Sequence, residues 1–214
     1  MSGPAAGVDD GWVMRSSGEW REGAEIVGRG SNLASCDHGV VAVSLVVTAD
    51  THLPKRARDL PHSLWAAIEA ADVVVHAGDW VDIGLLDAFE ARSRRLVAVY
   101  GNNDHGPFRE RLPEIARAEI AGIRFAVVHE TGDRKGREER CAARFPDVDV
   151  LVFGHSHIPW DTESPRGLRL LNPGSPTDRR RQPYCTYLTA TALAGALTDV
   201  VLHRLPNRTA ARHR

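Results

Sequence analysis

From about residue 39 onward the chain alternates short apolar runs with amphipathic stretches, whereas residues 1–38 show neither helical nor strand periodicity. Val40 to Thr48, Asp72 to Ala77 and Leu96 to Tyr100 read as buried strands. Between them, Ser63 to Ala70 reads as a helix with Leu64, Ala67, Ile68 and Ala71 at helical spacing, and Gly84 to Arg92 as another with Leu85, Leu86, Ala88 and Phe89 facing the core. Nearly continuous apolar strands separated by helices predict parallel pairing in a sheet covered on both faces. The second half changes character. Ala118 to Ile120 and Ile123 to Val128 flank Ala121-Gly122, a spacing that predicts a hairpin. A helical stretch over Arg137 to Arg144 leads into a strand over Val148 to Phe153. The short turn-linked runs Leu168 to Leu171, Tyr184 to Ala190 and Ala196 to Leu205 then predict an antiparallel or mixed second sheet.

This pattern divides the chain into an extension over residues 1–38, one folded domain over 39–206 and a basic tail over 207–214. The extension is expected to be partly disordered, with Trp12, Trp20 and Ile26 as the residues by which it can pack onto the domain instead. A chain of 214 residues is long enough for one well-buried core. Its formal net charge of -1 offers no global attraction to nucleic acid or an anionic membrane, so a phosphate-bearing ligand must be drawn in locally. The lack of an aromatic and basic strip disfavours long nucleic acid as a partner. Cys36, Cys141 and Cys185 are widely spaced and form no C-x-x-C pair, which argues against a disulfide framework or a zinc ribbon and for a reducing, cytoplasmic setting. The longest apolar run is far shorter than the roughly 20 residues of a membrane span, and the first residues carry Asp9 and Asp10 where a secretory signal would be apolar.

Polar residues that can bind metal cluster just after the strand candidates: Asp50-Thr51-His52, Gly78-Asp79, Gly101-Asn102-Asn103-Asp104, His129, and Gly154-His155-Ser156-His157. Carboxyl ends of strands in open α/β sheets are where ligands bind. Each cluster alone has a plainer reading. Asp50 or Asp79 can close a turn or cap a helix, Gly-Asn-Asn-Asp suits a loop, and a lone His129 suits a hydrogen-bonded core histidine. His76, inside a strand, is read as such a core residue. Taken together in order, the clusters mix hard oxygen donors with imidazoles, a combination able to hold two divalent ions side by side, with Asp79 placed to bridge them.

At these residues the chain resembles the calcineurin-like metallophosphoesterase superfamily, whose pattern D-x-H, G-D, G-N-x-D/E, H, G-H-x-H is matched in order from Asp50 to His157. Asn172-Pro173-Gly174-Ser175, followed by Asp178 and Arg179 to Arg181, looks like its small YfcE-like phosphodiesterase branch. The resemblance spans roughly Val40 to Leu205 and implies a four-layer αββα sandwich with two central mixed β-sheets. It implies one metal on Asp50, His52, Asp79 and His157, and another on Asp79, Asn102, His129 and His155. The ions would be manganese first, with iron, zinc, nickel or cobalt as alternatives. The implied activity is phosphoester hydrolysis, diesters ahead of monoesters, by a hydroxide bridging the metals, with Asn102, Asp79 and His129 as the catalytic residues. Its rival is a non-catalytic protein-binding scaffold of the same fold.

Two positions depart from the pattern. Ala49 replaces the usual Ser before the first Asp, and Asn103 replaces the His that many members carry after Gly-Asn. Asn103 can donate a hydrogen bond but cannot deliver a proton near neutral pH, which leaves His105 as a weak stand-in and favours esters with acidic leaving groups. Candidate phosphate contacts are Arg56, with Lys55 and Arg58, and Arg179, Arg180 and Arg181. The expected partner is a small phosphate ester, nucleotide-derived among the options; exposed apolar edges in the second sheet would permit a homo-oligomer.

Overall fold

The computed structural model describes Trp12–Met14, Trp20–Glu22 and residues 41–206. The first sheet takes its centre from β3 (Val43–Thr48), β4 (Val73–His76) and β5 (Leu96–Ala98), paired in parallel as the apolar runs predict. It continues antiparallel through β11 (Cys185–Leu193) and β12 (Ala196–Leu205), which corrects the expectation that these two runs belong to the second sheet, since β11 pairs along β3 instead. Beyond β12, β1 (Trp12–Met14) and β2 (Trp20–Glu22) add two more strands, giving the order β2-β1-β12-β11-β3-β4-β5. So part of the segment read as an extension pairs with the domain; Ile26 and the expected disorder lie outside the described residues, as does the tail over 207–214.

The second sheet has the order β6-β7-β8-β10-β9, built from β6 (Ile115–Ile120), β7 (Ile123–Val128), β8 (Val150–Phe153), β9 (Trp160–Glu163) and β10 (Arg169–Asn172). Strands β6 and β7 form the expected hairpin, with Ala121 and Gly122 both at positive φ as a tight two-residue turn requires. The sheet is mixed, since β8 pairs in parallel with β7 and β10.

Alternation along the strands makes the layers. On β3, Leu45 and Val47 point between the sheets while Val46 points to the helices; on β8, Val150 and Val152 point inward while Leu151 and Phe153 point outward. Three apolar layers result: one between the sheets, one under α1 (His62–Ala70) and α2 (Ile83–Arg92), and one under α4 (Arg137–Arg144). This is the four-layer sandwich the resemblance implies. Helix α2 starts where Asp82 accepts a hydrogen bond from the Gly84 N–H at 3.0 Å, a side-chain cap for a donor with no partner inside the helix.

The structure corrects several boundaries. The first strand begins at Val43, because Val41 is 75% exposed and has no sheet partner, and Val40 lies outside the described residues. The hairpin's first arm begins at Ile115 rather than Ala118, since β6 is an edge strand whose alternation is weak. Strand β9 and the short helix α3 (Pro107–Arg111) were not anticipated: three of the four residues of β9 are polar, and α3 spans only 5 residues, too few to show a period. No helix of the described residues is long and apolar enough to cross a membrane.

Candidate metal centre

The loops after β3, β4, β5, β7 and β8 converge on one rim, and the structure brings the predicted donor side chains together there. Asp50, His52 and His157 form one grouping, Asp50, Asp79 and His129 a second, and His129, Glu130 and His155 a third, with donor atoms within 4.8 Å of one another in each. The Asp79 Oδ2 atom lies 3.4 Å from His52 Nε2 and 3.4 Å from His129 Nε2, between an imidazole of each implied set. Asn102 Oδ1 is 2.9 Å from His129 Nε2 and 3.0 Å from His155 Nδ1. His157 Nε2 is 3.5 Å from Asp50 Oδ1 and 3.2 Å from His52 Nε2.

Neighbours fix the direction of the rings. The His129 Nδ1–H donates to the Ala77 carbonyl at 2.7 Å, and the His157 Nδ1–H donates to the Asp178 carbonyl at 2.7 Å, so both Nε2 atoms face the cluster. Backbone geometry is strained at the same places. Asp50 (φ 55°), His52 (45°), Asp79 (63°), His155 (67°) and His157 (57°) all sit in the left-handed region, which residues other than glycine enter uncommonly, Asp and His more often than most. Such strain costs on the order of 1 kcal/mol or more per residue and gathers at functional sites.

Without a cation, the buried cluster meets its charge with protons. Burial lifts the Asp50 carboxyl to about 8. Burial also opposes the charged form of His129, but its hydrogen bond to Asp79 and the charges of Asp50 and Asp79 outweigh that and raise it to about 9. For Asp79, burial is outweighed by hydrogen bonds from His129 and Asn103, which hold it well below the usual carboxylate range. Burial pushes His52 down and His157 down to about 4, so both are neutral at pH 7. Meanwhile Asp50 Oδ2 is buried without any hydrogen-bond partner. A buried Asp50 oxygen with no hydrogen-bond partner, whose proton a cation can replace, beside two neutral imidazoles with their Nε2 atoms in contact, fits a divalent cation.

The family follows from the sequence over this frame, because residues 43–194 match the model of the calcineurin-like phosphoesterase superfamily domain. The chain belongs to that superfamily. A probable metallophosphoesterase of Methanocaldococcus jannaschii is 38% identical over 132 residues, covering 61% of this chain and 67% of its own. A phosphodiesterase of the same organism is 29% identical over 140 residues, covering 60% and 77%. Among solved structures, vacuolar protein sorting 29 of Cryptosporidium parvum shares the fold with a TM-score of 0.66 at 21% identity, covering 78% of this chain and 93% of that one.

Within this superfamily frame, residues without an assigned role in the sequence prove to hold the donor loops. Asp104 is fully buried and accepts the backbone N–H groups of Gly101 (2.7 Å), Val81 (2.8 Å), Asp79 (2.9 Å) and Trp80 (3.0 Å), tying the Gly-Asp loop to the Gly-Asn loop. Its place in Gly-Asn-Asn-Asp was the available signal. Ser175 Oγ donates to the Asp50 carbonyl at 2.7 Å, Thr177 Oγ1 donates to the Thr51 carbonyl at 2.6 Å, and Asn172 Nδ2 donates to the Gly154 carbonyl at 2.8 Å. The Asn-Pro-Gly-Ser segment therefore braces the first and last clusters. Gly78 is required where it stands: at φ +86°, an added Cβ would lie 2.7 Å from the Gly101 nitrogen.

His76 is the expected core residue, fully buried, stacked on Trp80 with centroids 3.4 Å apart and accepting the Gly78 N–H at 3.2 Å. Asn103 donates its amide to Asp79 Oδ2 at 2.7 Å, against the shared carboxylate. His105 is exposed and belongs to none of the donor groupings. Arg56, Arg179 and Arg180 line one cleft of about 500 Å³; Arg56 pairs with Asp178 at 3.0 Å and Arg180 reaches the His155 carbonyl at 3.2 Å. Lys55, Arg58 and Arg181 are exposed and do not line that cleft.

Proposed function

We propose that this chain is a metal-dependent phosphodiesterase acting on small phosphate esters. The observation that carries the reading is Asp79, whose single oxygen lies equally far from an imidazole of each donor set. In this reading Asp50, His52, Asp79 and His157 hold one divalent ion, Asp79, Asn102, His129 and His155 the other, and manganese serves activity best, with iron, zinc, nickel or cobalt also accepted. A pair of such ions supplies positive charge to the phosphoryl oxygens and lowers the pKa of a bound water toward about 7.

The side chains do the remaining work. Asp178 and Ala77 hold the imidazoles by their Nδ1 protons, and Arg180 and Arg56 supply cationic charge on the flank where a phosphate approaches. Asn103 steadies Asp79 but has no proton to give, so a leaving oxygen must depart with little help and aryl or other acidic leaving groups are favoured. The named phosphodiesterase relative supports diesters over monoesters. All the donor positions of the pattern keep coordinating side chains, which favours catalysis over the scaffold alternative. Cys141 and Cys185 are free thiols, in keeping with a cytoplasmic setting.

The test is hydrolysis of bis(p-nitrophenyl) phosphate beside p-nitrophenyl phosphate by chelator-stripped protein refilled with manganese. Turnover of the diester that requires metal and exceeds that of the monoester is expected. Faster monoester cleavage would overturn the diester preference, and no cleavage of either ester would overturn the hydrolase reading.

A further inference from the structure

A second cleft of about 310 Å³, sharing no lining residue with the arginine cleft, opens against Asn102 and His129, and the reaction proposed above gives its other walls no role. Its walls are Tyr100, Arg109, Glu114, Glu130 and Arg144 over a floor of buried Val128. Tyr100 is half-buried and presents a ring with the Arg109 guanidinium 5.0 Å from its centroid. Arg109 is anchored, since its Nε donates to the Asp104 carbonyl at 3.3 Å. The Tyr100 N–H donates to the Pro113 carbonyl at 3.3 Å, which fixes the backbone just before Glu114 beside the ring. Arg144, at the end of α4, lies over the Phe145 ring at 5.2 Å, and neither it nor Glu114 forms an ion pair among the described residues.

We propose that this cleft seats the nucleobase of a nucleoside phosphodiester, with guanine preferred. The proposal rests on the phosphodiesterase reading. A volume near 300 Å³ is at the small end of ligand pockets and suits a base with part of its ribose. The two carboxylates argue against a second phosphate in the cleft, and the two guanidiniums argue against an aliphatic alcohol. An aromatic wall with the Glu114 carboxylate and the Arg144 guanidinium, neither in an ion pair among the described residues, suits a flat ring carrying both donors and acceptors. Guanine offers O6 and N7 to an arginine and N–H groups to a carboxylate on the same ring. Its sugar phosphate would then reach Asn102 and His129 directly, because those residues line the same cleft.

The test compares p-nitrophenyl esters of guanosine and uridine 5′-phosphate with bis(p-nitrophenyl) phosphate on the manganese-loaded full chain. KM for the guanosine ester is expected about tenfold below that for the uridine ester, the size of one charged hydrogen bond. Glu114→Gln, an exposed change, should erase most of that difference with kcat nearly unchanged and bis-aryl turnover intact. Arg144→Met should act in the same direction, and calorimetry should show both variants losing affinity for guanosine monophosphate while their affinity for inorganic phosphate stays the same. Equal KM for the two bases, or a Glu114→Gln variant that still discriminates, would overturn the base site while leaving the diesterase reading standing. If no diester is cleaved, the diesterase reading fails, and equal binding of guanosine and uridine monophosphates would separately overturn the base site.

Discussion

The two sides of the donor cluster are built differently. Asp50 is 0% exposed, His157 1% and His52 8%, and the loops that carry them are tied by Ser175, Thr177, Asp178 and Asn172. On the other side the His155 side chain is 50% exposed, Asn102 is exposed, and besides the shared Asp79 only His129 is buried. A buried, braced donor set pays little ordering entropy when an ion arrives, whereas an open one must order its side chains. The contrast teaches that, on the proposed two-ion reading, the Asp50 side would hold its ion in a preformed, buried set and the His155 side would leave its ion open to substrate and exchange.

The change expected to break this contrast most completely is Asp79→Asn, which weakens the carboxylate both sides share. It should lower turnover on the order of a thousandfold and reduce bound manganese at both positions, measured by metal analysis after dialysis. Loss of metal from only one position would show that Asp79 is not shared. Next in size, Asp104→Ala removes the acceptor for the N–H groups of Asp79, Trp80, Val81 and Gly101. Leaving buried donors unpaired should cost about 3 kcal/mol and lower the melting midpoint by roughly 10 °C; a change within 2 °C, as a rough bound, would mean water replaces the carboxylate. Ser175→Ala sharpens the comparison, because its hydroxyl braces only the Asp50 side. The tighter manganese affinity should fall about tenfold with the weaker one unmoved in calorimetry.

A smaller effect follows from protons. In stripped protein, Asp50 at about 8 and His129 at about 9 each hold a proton at pH 7 that a cation must displace. Both are raised above their ordinary values of 3.8 and 6.5, so each stabilises the folded metal-free chain at low pH and ceases to do so as pH climbs through the folded value. His157, near 4, and Asp79, below the usual carboxylate range, do not titrate between pH 6.5 and 9. The gap between melting midpoints of manganese-loaded and stripped protein should therefore widen across that window. A gap that narrows with rising pH would contradict the proton assignments.

Much of this was legible in the sequence, for identifiable reasons. The parallel strands announced themselves because they are buried on both faces, and the hairpin because Ala121-Gly122 leaves two residues for its turn. The donors were legible because chemistry restricts which side chains can bind a cation. What escaped notice depends on tertiary geometry. Left-handed backbone at Asp50, His52 and His157 carries no composition signal, since the residues there are not glycine. The bracing by Ser175 spans 125 positions of chain, and the Tyr100 cleft joins three separate segments. The pairing of Trp12–Met14 with β12 was missed because a three-residue strand has no measurable period.

The central claim is a pair of adjacent but unequal divalent positions, and calorimetric titration of stripped protein with manganese tests it most directly when run beside Asn102→Ala. Two binding events of clearly different affinity are expected in the unaltered chain, with only the tighter one surviving in the variant. A single event at one ion per chain, or two events that both vanish in Asn102→Ala, would contradict the account.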